Sequence, residues 1–440
     1  GAGPAGLVCA AGAAGLGARV ALVERHLMGG DCLNVGCVPS KGLIRADFAR
    51  VMERMYRIRA ELSHHDSPGR FSGLGVDVFL GEGRFAGPRA VAVAGKTLRF
   101  RHAVIATGAR AALPAIPGLA DCQPLTNETV FGLAELPARL AVIGSGPIGC
   151  ELGQAFARLG SRVTLLEKAN RIMGRDEAKA AETVSRSLAR DGVRIVTGAT
   201  ILGAANHGGH KTLAFRGPDG AETIEVDAIL VTAGRAPNVE GLGLDVAGIR
   251  YDTQGGVAVD AHLRTSNPMV FAAGDVCFPY KFTHAADACA RIVIANALFK
   301  GRQRADRLVV PWATYTQPEV AHVGLSEAEA GDDVDVIEVP TAATDRGRLD
   351  GDDGGYARVY LKKGTDRVVG ATLVADHAGD MIGEMALAVT HRIGLKKVGS
   401  TIHPYPTTGE IWKKVADAYS RTRLTPTVHK WMTRWLAWTR

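Results

Sequence analysis

Short apolar runs alternate with glycine-marked breaks along most of the chain, and the acids that close those runs are as informative as the runs themselves. The apolar stretch from Leu7 to Val23 could be taken for a secretion signal. Its glycine spacing and the acid Glu24 at its end predict a helix and then a strand instead. Leu140-Ala141-Val142-Ile143 reads as a second strand, entering a glycine turn, and Arg162 to Leu166 as the strand that follows, ending at Glu167. Val104 to Ala109, Thr232 to Asn238 and Val270 to Asp275 each read as a core strand with a turn after it. Near the end of the chain, Trp431, Trp435 and Trp438 share one face of a predicted helix with Lys430 and Arg434 beside them. No run approaches the length of a transmembrane helix.

Two of these segments are copies of one pattern. Gly1-Ala2-Gly3-Pro4-Ala5-Gly6 precedes an Ala-rich helix and a strand ending at Glu24. Gly144-Ser145-Gly146-Pro147-Ile148-Gly149 precedes the same arrangement ending at Glu167. First glycine and acid are 23 positions apart in both. The glycines permit a tight turn and close approach of backbone to a pyrophosphate, the helix start favours its charge, and the acid is placed for ribose hydroxyls. One such fingerprint is weak evidence, but two with matching acids imply two bound dinucleotides. A strand should precede the first, so the sequence is expected to lack its true N-terminus. At 440 residues the chain should hold two or three domains of α/β type. The net charge of +7 is scattered, with no long basic block before the last twenty residues, which argues against nucleic acid as a partner. None of the residue spacings is read as a resident metal site.

Candidate chemistry centres on Gly29-Gly30-Asp31-Cys32-Leu33-Asn34-Val35-Gly36-Cys37-Val38-Pro39-Ser40-Lys41. Two cysteines four residues apart, just after a nucleotide-binding unit, suggest a redox dithiol held beside a flavin. The other five of the seven cysteines are expected to be reduced and structural, as in a cytosolic protein. This run resembles the redox signature of the class I flavoprotein disulfide reductases, which include dihydrolipoamide dehydrogenase, glutathione reductase and mercuric reductase. Further stretches resemble that family in order: Gly81-Glu82-Gly83-Arg84-Phe85, Thr107-Gly108, Gly234-Arg235, Gly274-Asp275, and Pro311 to Gly324.

The resemblance implies an α/β fold of two Rossmann-like dinucleotide domains and a C-terminal α/β dimerisation domain. Its boundaries would be 1–118 and 248–306 for FAD, 119–247 for NAD(P) and 307–440 for the interface. FAD would bind at Gly1, Gly3, Pro4, Ala5, Gly6, Glu24, Gly83, Thr107, Gly108 and Asp275. The nicotinamide nucleotide would bind at Gly144, Gly146, Pro147, Ile148, Gly149, Glu167, Gly234 and Arg235. A carboxylate at Glu167 favours NADH over NADPH, although Lys168 and Arg171 lie near. Lys41 and Glu151 would pair near the flavin. The implied route runs from NADH through FAD to the Cys32–Cys37 disulfide, with Cys37 nearer the ring and Cys32 meeting a small-molecule oxidant. Active sites would be shared across a homodimer.

The chain departs from that family at its C-terminal motif, Ile402-His403-Pro404-Tyr405-Pro406-Thr407-Thr408-Gly409-Glu410. Lipoamide and glutathione reductases carry a base histidine where this chain has Tyr405. Glu410 is retained, and His403 aligns with a histidine that is not the base. A tyrosine with a pKa of about 10 is a poor base at neutral pH, which is closer to mercuric reductase. The paired C-terminal cysteines of those enzymes are missing, since the last cysteine is Cys289. Asp31, where the family usually has threonine, is expected to be a surface residue pointing away from Cys32. The expected function is therefore electron transfer to a disulfide, metal–thiolate or similar acceptor. A dihydrolipoamide dehydrogenase is the alternative, and a nucleotide-sensing flavoprotein the second. The Trp-rich helix is expected to pack on its own dimer, or else to meet a membrane surface or partner protein.

Overall fold

The structure, a computed structural model, describes residues 1–42, 48–352 and 354–439, and of residues 41, 42 and 327 the backbone only. It divides into two compact units, one comprising Gly1–Asn170 and Asp191–Leu308, the other Arg171–Arg190 and Val309–Arg440.

In the first unit, helix Pro4–Gly15 leads to strand Val20–Glu24, which pairs in parallel with Val76–Leu80. A second parallel pair joins Ala103–Ile105 to Val270–Ala272. Gly1 touches both pairs: its backbone nitrogen donates to the Val23 carbonyl, and its Cα faces Ala106 closely enough that a Cβ would lie 2.3 Å from the Ala106 carbonyl oxygen. Helix Thr283–Phe299 packs along Pro4–Gly15 through Ala5, Ala286, Cys289 and Val293. Small residues set the close spacing, for a Cβ at Gly12 would sit 2.6 Å from Ile294 Cδ1.

The second fingerprint lies on a four-stranded parallel sheet in the order Arg194–Val196, Arg162–Leu166, Arg139–Ile143, Ala228–Val231. Leu140, Ala141, Val142 and Ile143 are all buried, as expected for a strand covered on both faces. Two three-stranded antiparallel meanders, Arg84–Arg99 and Thr200–Val226, complete this unit with smaller pairings.

The second unit is built on a five-stranded antiparallel sheet in the order Trp312–Thr314, Glu319–Gly324, Val368–Ala375, Tyr356–Lys362, Val334–Pro340. Helices Ala378–Thr390 and Ile411–Thr422 cover it with Met385, Trp412 and Val415. Helix Ala178–Arg190, which lies inside the 119–247 stretch of sequence, belongs to this unit. The reason is the residue before it. Glu177 is buried and accepts hydrogen bonds from Tyr360 Oη at 2.6 Å, Arg358 at 2.8 Å and the Thr372 hydroxyl. A carboxylate so placed needs those donors, and they hold the segment to the sheet. Among the described residues no helix is long and apolar enough to cross a membrane.

Candidate functional site

The two fingerprints fold alike down to single hydrogen bonds. Gly3 and Gly146 are N-caps with extended backbone, followed by Pro4 and Pro147 in the first turn. A Cβ on Gly6 would lie 1.8 Å from the Gly1 carbonyl oxygen, and one on Gly149 would lie 2.0 Å from that of Gly144, so neither third glycine can be replaced without moving backbone. The middle glycines are different. Gly146 faces nothing within 4 Å, and Gly3 meets only Gly30 Cα, at 3.6 Å. In both units the closing acid reaches back into the turn: Glu24 accepts from Ala2 N at 2.6 Å and Glu167 from Ser145 N at 2.9 Å, each across 22 residues. Glu167 also accepts from Ser145 Oγ and Ala169 N. Burial works to raise its pKa, but the bonds from Ala169, Ser145 and Lys168 outweigh that and hold it below the ordinary carboxylate range. It is therefore ionised at neutral pH.

The dithiol run folds as two short helices, Gly30–Val35 carrying Cys32 and Cys37–Gly42 opening on Cys37. The link between them is Gly36, where a Cβ would come 2.8 Å from the Asp31 carbonyl oxygen and 3.4 Å from Cys32 Cα. Only a glycine lets the chain fold back this tightly against the first cysteine. Asn34 Nδ2 donates to Met28 O and Gly30 O, and Asn127 Nδ2 donates to Val35 O, which fixes the loop from both sides. Cys37 is exposed, and its Sγ lies 3.7 Å from the hydroxyl of Thr283, at the start of helix Thr283–Phe299. Cys9, Cys122, Cys277 and Cys289 are unpaired thiols, and burial pushes Cys9 up to about 12 and Cys289 up to about 11.

Asp31, expected to be a surface residue pointing away from Cys32, has a side chain that is 44% exposed. Its carboxylate pairs with the guanidinium of Arg235, which also donates to Ala109 O at 2.8 Å and lies 3.6 Å from Asp275. Burial raises the Asp275 pKa, while Arg235 and Lys281 oppose the rise. Arg235 Nε is buried without a hydrogen-bond partner. Gly274, at φ +80, is squeezed between Ala5 and Ala286, so the Asp275 turn also requires glycine. Thr107 Oγ1 donates to Asn238 O and Asn238 Nδ2 returns a bond to Thr107 O, joining the segment after strand Ala103–Ile105 to the loop after Arg235–Pro237. Gly83 packs its Cα against Val23, while Gly108 and Gly234 take positive φ. These features fit FAD: an open glycine turn, a left-handed turn at Gly274 before Asp275 and an orphaned buried donor on Arg235, which was expected at the nicotinamide nucleotide but lies 3.6 Å from Asp275. Glu151 lies half-buried in helix Pro147–Arg158, and the side chain of Lys41 falls outside the described residues.

In the second unit Tyr405, His403 and Glu410 line one cleft of about 330 Å³ with Ser400, Ile402 and Lys413. Tyr405 is exposed and donates its hydroxyl to Asp345 Oδ2 at 2.7 Å. That bond and the Asp345 charge raise the pKa of the phenol. His403, the position aligned with a family histidine that is not the base, has Nδ1 facing Thr401 O at 3.0 Å and Nε2 facing the Glu384 carboxylate at 3.1 Å. Both ring nitrogens are thus engaged within the second unit. Glu410 pairs with Lys414 at 3.1 Å. Thr283, Asp345 and Glu384 were not anticipated from sequence, because nothing local marks them as neighbours of Cys37, Tyr405 and His403.

Residues 1–291 match the family of pyridine nucleotide-disulphide oxidoreductases, and residues 310–416 match the dimerisation domain of pyridine nucleotide-disulphide oxidoreductases. The chain is 33% identical over 430 residues to mercuric reductase of Staphylococcus aureus, covering 92% of this chain and 79% of that one. It is 34% identical over 447 residues to dihydrolipoyl dehydrogenase of Geobacillus stearothermophilus, covering 95% and 94%. The HOCl-induced flavoprotein disulfide reductase RclA of Escherichia coli superposes with a TM-score of 0.88 at 28% identity, over 95% of this chain and 98% of that one.

Proposed function

Because the chain belongs to the pyridine nucleotide-disulphide oxidoreductases, an NAD(P)H-dependent homodimeric flavoprotein group, we propose that it moves electrons from NADH by way of FAD and the Cys32–Cys37 pair to a thiolate-bound soft metal ion. When bound, FAD supplies two-electron transfer between a hydride donor and a disulfide. Gly3, Gly6 and Glu24 would hold its adenosine end, and Asp275 and Arg235 the ribityl and phosphate region. Gly146 would admit the pyrophosphate of the nicotinamide nucleotide. The ionised Glu167 would accept from a ribose 2′-hydroxyl and repel a 2′-phosphate. Cys37 would face the ring with Thr283 at its sulfur, and Cys32 would meet the acceptor.

The observation that carries the choice of acceptor is Tyr405 Oη donating to Asp345. Reducing an organic disulfide requires proton transfer to and from the dithiol, which a phenol held above its usual pKa supplies poorly at neutral pH. Exchange of thiolate ligands at a soft metal requires no such base. Copper is relevant as well as mercury, since RclA has also been solved as a Cu(II) complex.

Anaerobic titration with NADH tests the electron route. A long-wavelength absorbance band after two electrons, lost in Cys37→Ser, is expected, and its absence would sink the dithiol. Turnover with Hg(II)–thiol and Cu(II)–thiol complexes, lipoamide and quinones then ranks the acceptors. The lipoamide dehydrogenase reading is favoured by the near full-length likeness to that enzyme. Lipoamide turnover above that with the metal complexes would establish it.

A further inference from the structure

We propose that helix Pro426–Trp438 lays this protein on an anionic lipid bilayer. The helix is locally well specified: Thr425 caps it by accepting from Val428 N, and Pro426 stands in its first turn. On a helical projection Trp438, Trp431, Trp435, Val428, Met432 and Leu436 form one continuous apolar face, with His429, Thr433 and Ala437 opposite. Arg434 adjoins the tryptophan edge and Lys430 lies beyond it on the polar side, and the two line a shallow cleft of about 390 Å³ with Pro426, Thr427 and Trp431. Among the described residues that apolar face is left uncovered. No residue of the helix is buried, and Trp431, Trp435 and Trp438 are 70%, 60% and 78% exposed.

Three observations select the occupant. The dimerisation-domain match ends at residue 416, so the helix lies beyond the segment that the family shares. Next, Arg421, Arg423, Lys430, Arg434 and Arg440 follow Asp417 with no further acid. A two-fold contact between copies of this helix would leave these cations without a partner of opposite charge. Anionic headgroups neutralise them directly. Finally, the face is built mainly on tryptophan, whose ring and N–H suit the boundary between headgroups and acyl chains. A helix with one apolar and one polar face is suited to lie in the plane of the bilayer surface.

Flotation of the full-length, FAD-loaded protein with vesicles tests this. Vesicles of phosphatidylcholine with phosphatidylglycerol should bind at least about tenfold more tightly than phosphatidylcholine alone, and binding should weaken at about 0.5 M salt. A blue shift of tryptophan fluorescence should accompany it. The variant W431A/W435A/W438A should lose binding roughly tenfold or more while keeping NADH-dependent dye reduction and its circular dichroism. K430E/R434E should lose the preference for phosphatidylglycerol. The proposal is overturned by equal binding to both vesicles, by no binding, or by wild-type affinity in both variants. It is also overturned if the triple tryptophan variant turns dimer into monomer by light scattering, or if only an acidic protein surface is bound.

Discussion

Asp31, the residue before the first redox cysteine, is ion-paired with Arg235, and Arg235 lies 3.6 Å from Asp275 on its other side. One guanidinium thus serves two carboxylates, one on the dithiol loop and one in the turn that would meet the flavin. Removing the Asp31 charge leaves Arg235 with less compensation next to the loop that carries Cys32, and net positive charge stabilises a thiolate. D31N should therefore raise the rate at which iodoacetamide alkylates the NADH-reduced protein at pH 7. Since the Asp31 side chain is 44% exposed, a change of roughly threefold to tenfold is expected. An unchanged or slower rate would show that Asp31 exerts no electrostatic control over the dithiol.

Gly36 should tolerate no side chain. The Cβ of G36A would sit 2.8 Å from a backbone oxygen, which no rotamer change relieves. The loop must shift, at a cost of about 1–3 kcal/mol. The long-wavelength band on NADH titration should be lost or weakened while FAD content stays near one per chain. A normal band would mean that the loop closes without the Gly36 contact.

Glu167 should govern nucleotide choice. E167Q keeps the shape but removes the charge, so KM for NADPH should fall and KM for NADH rise, changing the ratio by about 10-fold or more. Because the folded-state pKa is depressed, the stability that ionised Glu167 contributes is present above the unfolded value of about 4.3 and is lost as pH falls through the lower folded value. The melting temperatures of E167Q and wild type should accordingly differ at pH 7 and converge in strong acid. Equal KM ratios would remove Glu167 from the nucleotide site.

Tyr405 should be the obstacle to lipoamide. Y405H supplies a base with a pKa of about 6.5, and general base catalysis contributes about 10²–10⁴-fold. Lipoamide turnover should rise by at least tenfold, with a new inflection near neutral pH, while reduction of metal–thiolate complexes should not improve. A flat response to Y405H would show that another group limits disulfide reduction.

Glu177 should be a stability residue. E177A leaves Tyr360, Thr372 and Arg358 without their shared acceptor in a buried site and should cost about 3–5 kcal/mol. Chemical denaturation reads this directly, and a loss below about 1 kcal/mol would show that the cluster relaxes around the gap.

The fingerprints, their acids and the dithiol were legible because each is a local event. Gly6, Gly149 and Gly36 are demanded by backbone atoms within a few residues, and the Glu24–Ala2 and Glu167–Ser145 bonds span the same 22 residues, so spacing alone exposed the repeat. The amphipathic tail was legible for the same reason, as a helical period read along one segment. Asp31–Arg235 spans 204 residues, Cys37–Thr283 spans 246, Thr372–Glu177 spans 195 and Tyr405–Asp345 spans 60. Such pairs have no local signature, since the backbone around a polar residue does not say which distant partner packing will bring to it. By itself, then, the sequence determined two dinucleotide turns, a redox loop and the residues present for chemistry. Tertiary structure alone decided that Asp31 turns to Arg235, that His403 is occupied and that Tyr405 is tied to a carboxylate, because charge pairing is settled only when separate segments are buried together.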